Sequence, residues 1–224
     1  DLPGALPGSR AGVIGVDRTA LATAERKDLA DFLETLEPEH WERPSLCSGW
    51  TVRDVVAHLI SYEEIGLGEF AGRFLRAGFR FGRMNARRLR EFGERSPGEL
   101  VAYVRAHARP SGPTAMADAR IGLTDGLIHH QDIRRTLGRP REVPAERLAP
   151  VLDFALMAPP LPARRNVRGL RLVATDLDWS RGSGEAVTGP GEALLMAVCG
   201  RAEALPELTG PGLATLESRV RRTS

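Results

Sequence analysis

Cysteine, lysine and aromatic residues are scarce in this chain of 224 residues, and long apolar runs are missing. The two cysteines, Cys47 and Cys199, stand far apart with no C-x-x-C pair. That spacing excludes a disulfide framework and a cysteine-built zinc finger, and it leads one to expect a reducing, cytoplasmic compartment. No stretch approaches the ~20 apolar residues that a membrane-spanning helix needs. The opening DLPGALPGSRAGVIGV has no basic head before an apolar core, so residues 1–16 read as a flexible arm rather than a secretion signal. Lys27 is the only lysine, and arginine supplies the rest of the positive charge. With abundant alanine and glycine, this bias is that of a GC-rich coding sequence rather than of a binding surface.

What the chain does contain is the composition of an ordinary globular protein, 42% apolar and 27% charged, long enough to bury a full core. Thirty-one basic and 29 acidic residues leave a net charge of +2. Averaged over the chain, that balance argues against nucleic acid or an anionic membrane as the main partner.

Hydrophobic spacing divides the chain unevenly. Leu29, Phe32, Leu33 and Leu36 recur at helical intervals and predict a first helix ending near Pro38. Thr51 and Asp54 form a capping-box pattern ahead of a second helix, VRDVVAHLISYEEIG. A third helical segment, 79–108, is broken at Ser96-Pro97-Gly98. A fourth, 115–137, ends on Arg134, Arg135, Gly138 and Pro140, a strong stop signal. A further helix over 145–157 runs into Ala158-Pro159-Pro160-Leu161-Pro162. Beyond it the period changes: Leu170, Leu172 and Ala174 alternate as in a strand, and 190–200 reads as a short apolar helix. The expected fold is α+β and mainly α. A four-helix bundle over 17–157 is followed by a small α/β unit over 163–224.

His58, Asp125 and His129 are the candidate metal ligands among five histidines. Asp125 and His129 are four residues apart, so one helix presents both from the same face. A third ligand from a neighbouring helix would leave one position open, as catalytic zinc sites do. Ile121, Asp125, Ile128, His129 and Asp132 share that side of the fourth helix, while His130 points elsewhere. Asp132 then stands as an outer acceptor or as the partner of an arginine. Cys47, just before the second helix, reads chiefly as packing under the helix start, with a nucleophile as the sharper alternative.

The run WERPSLCSGWTVRDVVAHLI, carrying Pro44, Cys47, Gly49, Trp50, Thr51 and His58, resembles a signature of the mycothiol-dependent maleylpyruvate isomerase family, within the DinB-like four-helix-bundle superfamily. DGLIHHQDIRRTLG, from Asp125 to Gly138, is similar to that family's second signature, with aspartate where the family generally has glutamate. GLRLVATDLDW and GPGEALLMAVCGR resemble its small C-terminal domain. The resemblance implies that His58, Asp125 and His129 bind a divalent metal, usually zinc, and that Arg201 is a catalytic-site arginine. It implies mycothiol or a similar thiol as cosubstrate. The thiol would add to an electrophilic small molecule, for cis–trans isomerisation or for transfer of the sulfur. Arg201, after Gly200 at a helix end, is expected on an exposed turn from which it reaches a substrate carboxylate. The alternative class is a non-catalytic metal-binding protein with a regulatory or stress-response role. As partners the sequence favours small molecules alone, in a monomer or homodimer.

Overall fold

The computed structural model describes residues 16–92 and 94–222, so the expected N-terminal arm, but for Val16, lies outside the described residues. Helix α1 (Arg18–Leu33) starts where the Asp17 carboxylate accepts from the Ala20 amide at 3.0 Å, and it buries Leu29, Phe32 and Leu33. A single turn, α2 (Pro38–Trp41), places Trp41 in the core. Helix α3 (Val52–Ile60) opens with the expected box: Thr51 Oγ1 accepts from the Asp54 amide and the Asp54 carboxylate accepts from the Thr51 amide.

Helix α3 stops earlier than its sequence suggested, because Glu63 turns inward. Its fully buried carboxylate accepts from Arg26 Nη2 at 2.6 Å, from the Ser111 amide at 2.9 Å and from Thr114 Oγ1 at 2.7 Å. A buried carboxylate is tolerable only with such partners, and they fix where the chain must bend. Gly112 completes the bend at φ +52, where a Cβ would lie 2.5 Å from the Ile65 carbonyl oxygen.

Next come α4 (Leu67–Arg76), α5 (Phe81–Phe92) and α6 (Pro97–Ala106). The break at Ser96-Pro97-Gly98 is the start of α6, where Ser96 and Glu99 cap each other. Helix α7 (Arg120–Thr136) begins five residues later than expected. A 3-10 turn at Gly112–Ala115 and three left-handed residues, Ala117, Asp118 and Ala119, come first. Its end is the predicted one, with Gly138 at φ +64. Helices α1, α3, α6 and α7 form the bundle, α1 and α3 each packing on both α6 and α7.

Helix α8 (Ala145–Ala155), the turn α9 (Ala163–Asn166) and strands β1 (Leu170–Ala174), β2 (Ser180–Gly182) and β3 (Glu185–Gly189) follow, then α10 (Gly191–Val198) and α11 (Leu213–Val220). The sheet order is β2-β1-β3, with β1 antiparallel to β2 and parallel to β3. The fold is thus mainly helical with one small sheet.

Two large apolar clusters hold these layers, and a smaller one, Tyr62, Ile65, Ala77 and Met84, packs against Phe70 and Phe74 of α4. One lies inside the bundle, around Leu29, Trp41, Val55, Leu100 and Ile133. The other joins Leu123 and Leu127 of α7 to Leu148 and Leu152 of α8, Leu172 of β1 and Leu194 and Leu195 of α10. Each such leucine, fully buried, is worth about 1.5–3 kcal/mol. Beside them a polar network ties α1 to α7 and α8. His130 Nδ1 lies 2.8 Å from Glu25, Arg134 Nε donates to His130 Nε2, and Arg141 and Arg147 close on Glu25. Burial holds the His130 imidazole neutral, with its pKa lowered to about 4. Glu25 sits at about 2: burial would raise it, but His130 and Arg141 outweigh that.

Candidate metal centre

Helices α3 and α7 cross where His58 faces Asp125 and His129. His58 sits in the last turn of α3, and Asp125 and His129 occupy successive turns of α7. The fold therefore brings all three sequence candidates together, each offering one ligand atom within 4.8 Å of the others. His58 Nε2 is 3.7 Å and His129 Nε2 3.5 Å from the same Asp125 oxygen. These separations exceed a good hydrogen bond. They match the edges of a metal coordination shell instead: ligands about 2.1 Å from a tetrahedral ion lie about 3.4 Å apart. Asp125, one methylene shorter than glutamate, still brings one oxygen to 3.7 Å and 3.5 Å from the two histidine nitrogens.

The surroundings orient the donors. The His58 and His129 rings stand nearly perpendicular with centroids 5.0 Å apart, and Trp50 flanks both, at 5.0 Å and 6.4 Å. Tyr62 meets His58 edge-on at 6.0 Å. His129 Nδ1 lies 2.9 Å from Asp132 Oδ2. With Asp132 ionised, Nδ1 is the donor in that bond, which leaves Nε2 as the ring atom turned toward Asp125. The second imidazole has no such support: His58 Nδ1 is buried without a hydrogen-bond partner.

Electrostatics point the same way. Burial would raise the Asp125 carboxyl, but His129 and His58 outweigh it and hold it well below the usual carboxylate range. Burial would lower the His129 pKa, but Asp125, Cys47 and Asp132 outweigh it and raise it well above its ordinary value. The site draws positive charge to itself, as a proton or as a cation. Its nitrogen and oxygen donors suit a borderline divalent ion such as zinc.

Arg201 is placed differently from expectation. It does not project from an exposed turn; its side chain is only 14% exposed and lies against α7. Its Nε and Nη2 donate to the two Asp132 oxygens at 2.8 and 2.6 Å, and Nη1 donates to the Cys199 carbonyl. Asp132, fully buried, is held well below the usual range; burial opposes this, but Arg201 and then His129 prevail. Cys47 joins the same group, its thiol donating to Asp132 Oδ2 at 3.1 Å, with Sγ 3.5 Å from His129 Nδ1 and 3.6 Å from Arg201 Nη2. Cys47, His129 and Asp132 form a second possible ligand group. The fork from Arg201 already neutralises its carboxylate, so it is the poorer of the two. Trp50 belongs to the signature run, where its reading from sequence is packing alone; the structure sets it beside both histidine rings.

Residues 22–109 match the family model described as the mycothiol maleylpyruvate isomerase N-terminal domain. That stretch includes Cys47, Trp50 and His58 and ends before α7. Two crystal structures share the fold, the mycothiol-dependent maleylpyruvate isomerase (TM-score 0.57) and a histidine-to-alanine mutant of it (TM-score 0.56). Each is 14% identical to this chain over 87% of its length and 91% of the matched chain. Among curated proteins, none matches the sequence.

Proposed function

Because residues 22–109 match the mycothiol maleylpyruvate isomerase N-terminal domain and the chain shares that enzyme's fold, we propose that this protein is a metal-dependent enzyme that uses a small thiol. The observation that carries the reading is the convergence of His58 Nε2, His129 Nε2 and one Asp125 oxygen at coordination-shell spacing. A divalent ion held there supplies Lewis acidity, which favours the deprotonated form of a thiol such as mycothiol at neutral pH. The reaction class is addition of that sulfur to an electrophilic small molecule. Elimination after bond rotation gives isomerisation, and no elimination gives transfer.

The chain's own groups divide the remaining work. His58, Asp125 and His129 hold the ion, and Asp132 fixes the tautomer and the ring plane of His129. Arg201 is a positioning residue, because all three of its nitrogens are engaged by Asp132 and the Cys199 carbonyl. Trp50 walls one side of the centre, while Asp125, with 34% of its side chain exposed, marks the open side. The division into a bundle, 17–157, and a C-terminal unit, 163–224, belongs to the same proposal. So does a cytoplasmic location, where such thiols are kept reduced; no helix of the described residues is long and apolar enough to cross a membrane.

The test is elemental analysis of protein purified without chelator, followed by turnover with mycothiol and a panel of electrophiles. About one divalent ion per chain is expected, lost in His58→Ala and in His129→Ala. Metal kept undiminished in both variants rejects the ligand assignment. Metal bound without turnover on any thiol–electrophile pair supports the non-catalytic reading instead.

A further inference from the structure

The even net charge of the chain conceals an uneven distribution. Between Arg76 and Arg90 the sequence has six arginines and no acidic residue. That stretch forms the tip and returning arm of the α4–α5 hairpin. Helix α4 carries Leu67, Phe70, Ala71, Phe74 and Leu75 at the spacing of a covered apolar face, yet none of its residues is buried. Leu67, Leu75 and Phe79 are 54%, 61% and 67% exposed, and Phe81 is 39% exposed. Phe79 and Phe81 close on Phe74 at 5.5 and 4.5 Å, so the patch is continuous rather than scattered. Gly78 and Phe79 both have positive φ, a tight reversal that leaves the Phe79 ring at the tip. Phe70 meets Tyr62 at 5.8 Å and secures the inner end of the hairpin.

The charges around this patch are unneutralised. Glu69 and Glu91 are taken up by Arg73 and Arg88, which lie further in. Arg76, Arg80, Arg83, Arg87 and Arg90 are exposed, and none has an ion-pair partner among the described residues. We propose that the α4–α5 hairpin docks on an anionic lipid bilayer, with Leu75, Phe79 and Phe81 entering the headgroup–acyl boundary and the arginines meeting lipid phosphates. Nucleic acid would satisfy the arginines but leave the leucines and phenylalanines wet. A second copy of the chain would cover the apolar side chains but bring five like charges together. A bilayer surface satisfies both at once, with the basic amphipathic element lying on the membrane rather than spanning it.

The test is co-sedimentation of the full chain with vesicles of phosphatidylcholine alone and of phosphatidylcholine mixed with phosphatidylglycerol. The parent should bind the mixed vesicles and not the neutral ones. Each arginine near such a surface contributes about fivefold in binding, so Arg80→Gln with Arg83→Gln should weaken partition about thirtyfold. Phe79→Ser with Phe81→Ser should abolish it, with helical circular dichroism and metal content unchanged because all four side chains are exposed. Absence of binding by the parent, equal binding to neutral vesicles, or undiminished binding by either variant would overturn the proposal. So would a parent that binds no vesicle but forms a dimer which the phenylalanine variant dissolves. A parent whose arginines bind an oligonucleotide in preference to the mixed vesicles refutes it as well.

Discussion

Asp132→Ala removes the carboxylate on which three parts of the centre converge: the Arg201 fork, the His129 ring and the Cys47 thiol. Two charge-assisted bonds of 2.8 and 2.6 Å are lost, and a guanidinium only 14% exposed is left without its counter-ion. Breaking a buried pair from one side costs about 3–5 kcal/mol. The remaining exposure of Arg201 lets it reach some water, so the lower end, about 3 kcal/mol, is expected. That is a large share of the roughly 5–15 kcal/mol by which a domain is stable. Urea unfolding in the presence of chelator measures it free of any metal contribution. Metal titration of the same variant should show affinity reduced about 10- to 100-fold, because His129 loses the group that fixes its tautomer. Adding Arg201→Met should restore part of the lost stability, since no unpaired charge then remains. A loss below about 1 kcal/mol, or a double variant no more stable than Asp132→Ala, would refute the reasoning.

Arg201→Lys keeps the charge but not the fork, so it should cost about 1.5–3 kcal/mol and loosen metal binding. The exposed turn expected from sequence predicted no such loss, and thermal unfolding separates the two. His130 titrates at 6.5 ordinarily and at about 4 in the fold, so between those values the unfolded chain holds the extra proton. Stability should therefore fall as pH drops from 6.5 to 4, and His130→Gln, compared with the parent by urea unfolding across that window, should flatten the slope. Below it Glu25 adds a loss between 4.5 and about 2 as its carboxylate is protonated. Gly112→Ala should destabilise by more than about 1 kcal/mol, since its φ is +52 and the Ile65 oxygen blocks a Cβ; an unchanged melting temperature would contradict this.

Much of the frame was legible because its signals are local. The Thr51–Asp54 box, the Leu29–Phe32–Leu33 stripe, the Gly138 stop and the alternation through β1 each act within a few residues. Helix α4 left little trace in the sequence because Gly68 and Gly72 weaken its propensity and its apolar stripe meets only the small cluster of Tyr62, Ile65, Ala77 and Met84. The late start of α7 depends on the left-handed residues 117–119, which no composition announces. Strand β2 is three exposed residues with no alternation, visible only through its pairing with β1. In the centre, the four-residue spacing announced Asp125 and His129, and the inward face singled out Asp132 as an outer acceptor or an arginine's partner. It is both. That the arginine would be Arg201, 69 residues on, is set by how α10 docks on α7 and α8, and such docking leaves no local trace.

Helix α7 sends side chains into both large apolar clusters, Leu123 and Leu127 on one side and Ile133 on the other, as α1 does through Ala22 and Leu29. It also carries Asp125 and His129, two of the three proposed metal donors, and Asp132 behind them. The helix is thus a shared wall, and neither cluster can melt without exposing part of it. A chain cut after Met157 would not keep the centre whole: stripping α10 from α8 and α7 bares Leu148, Val151 and Leu152 and removes Arg201 from Asp132 at one stroke.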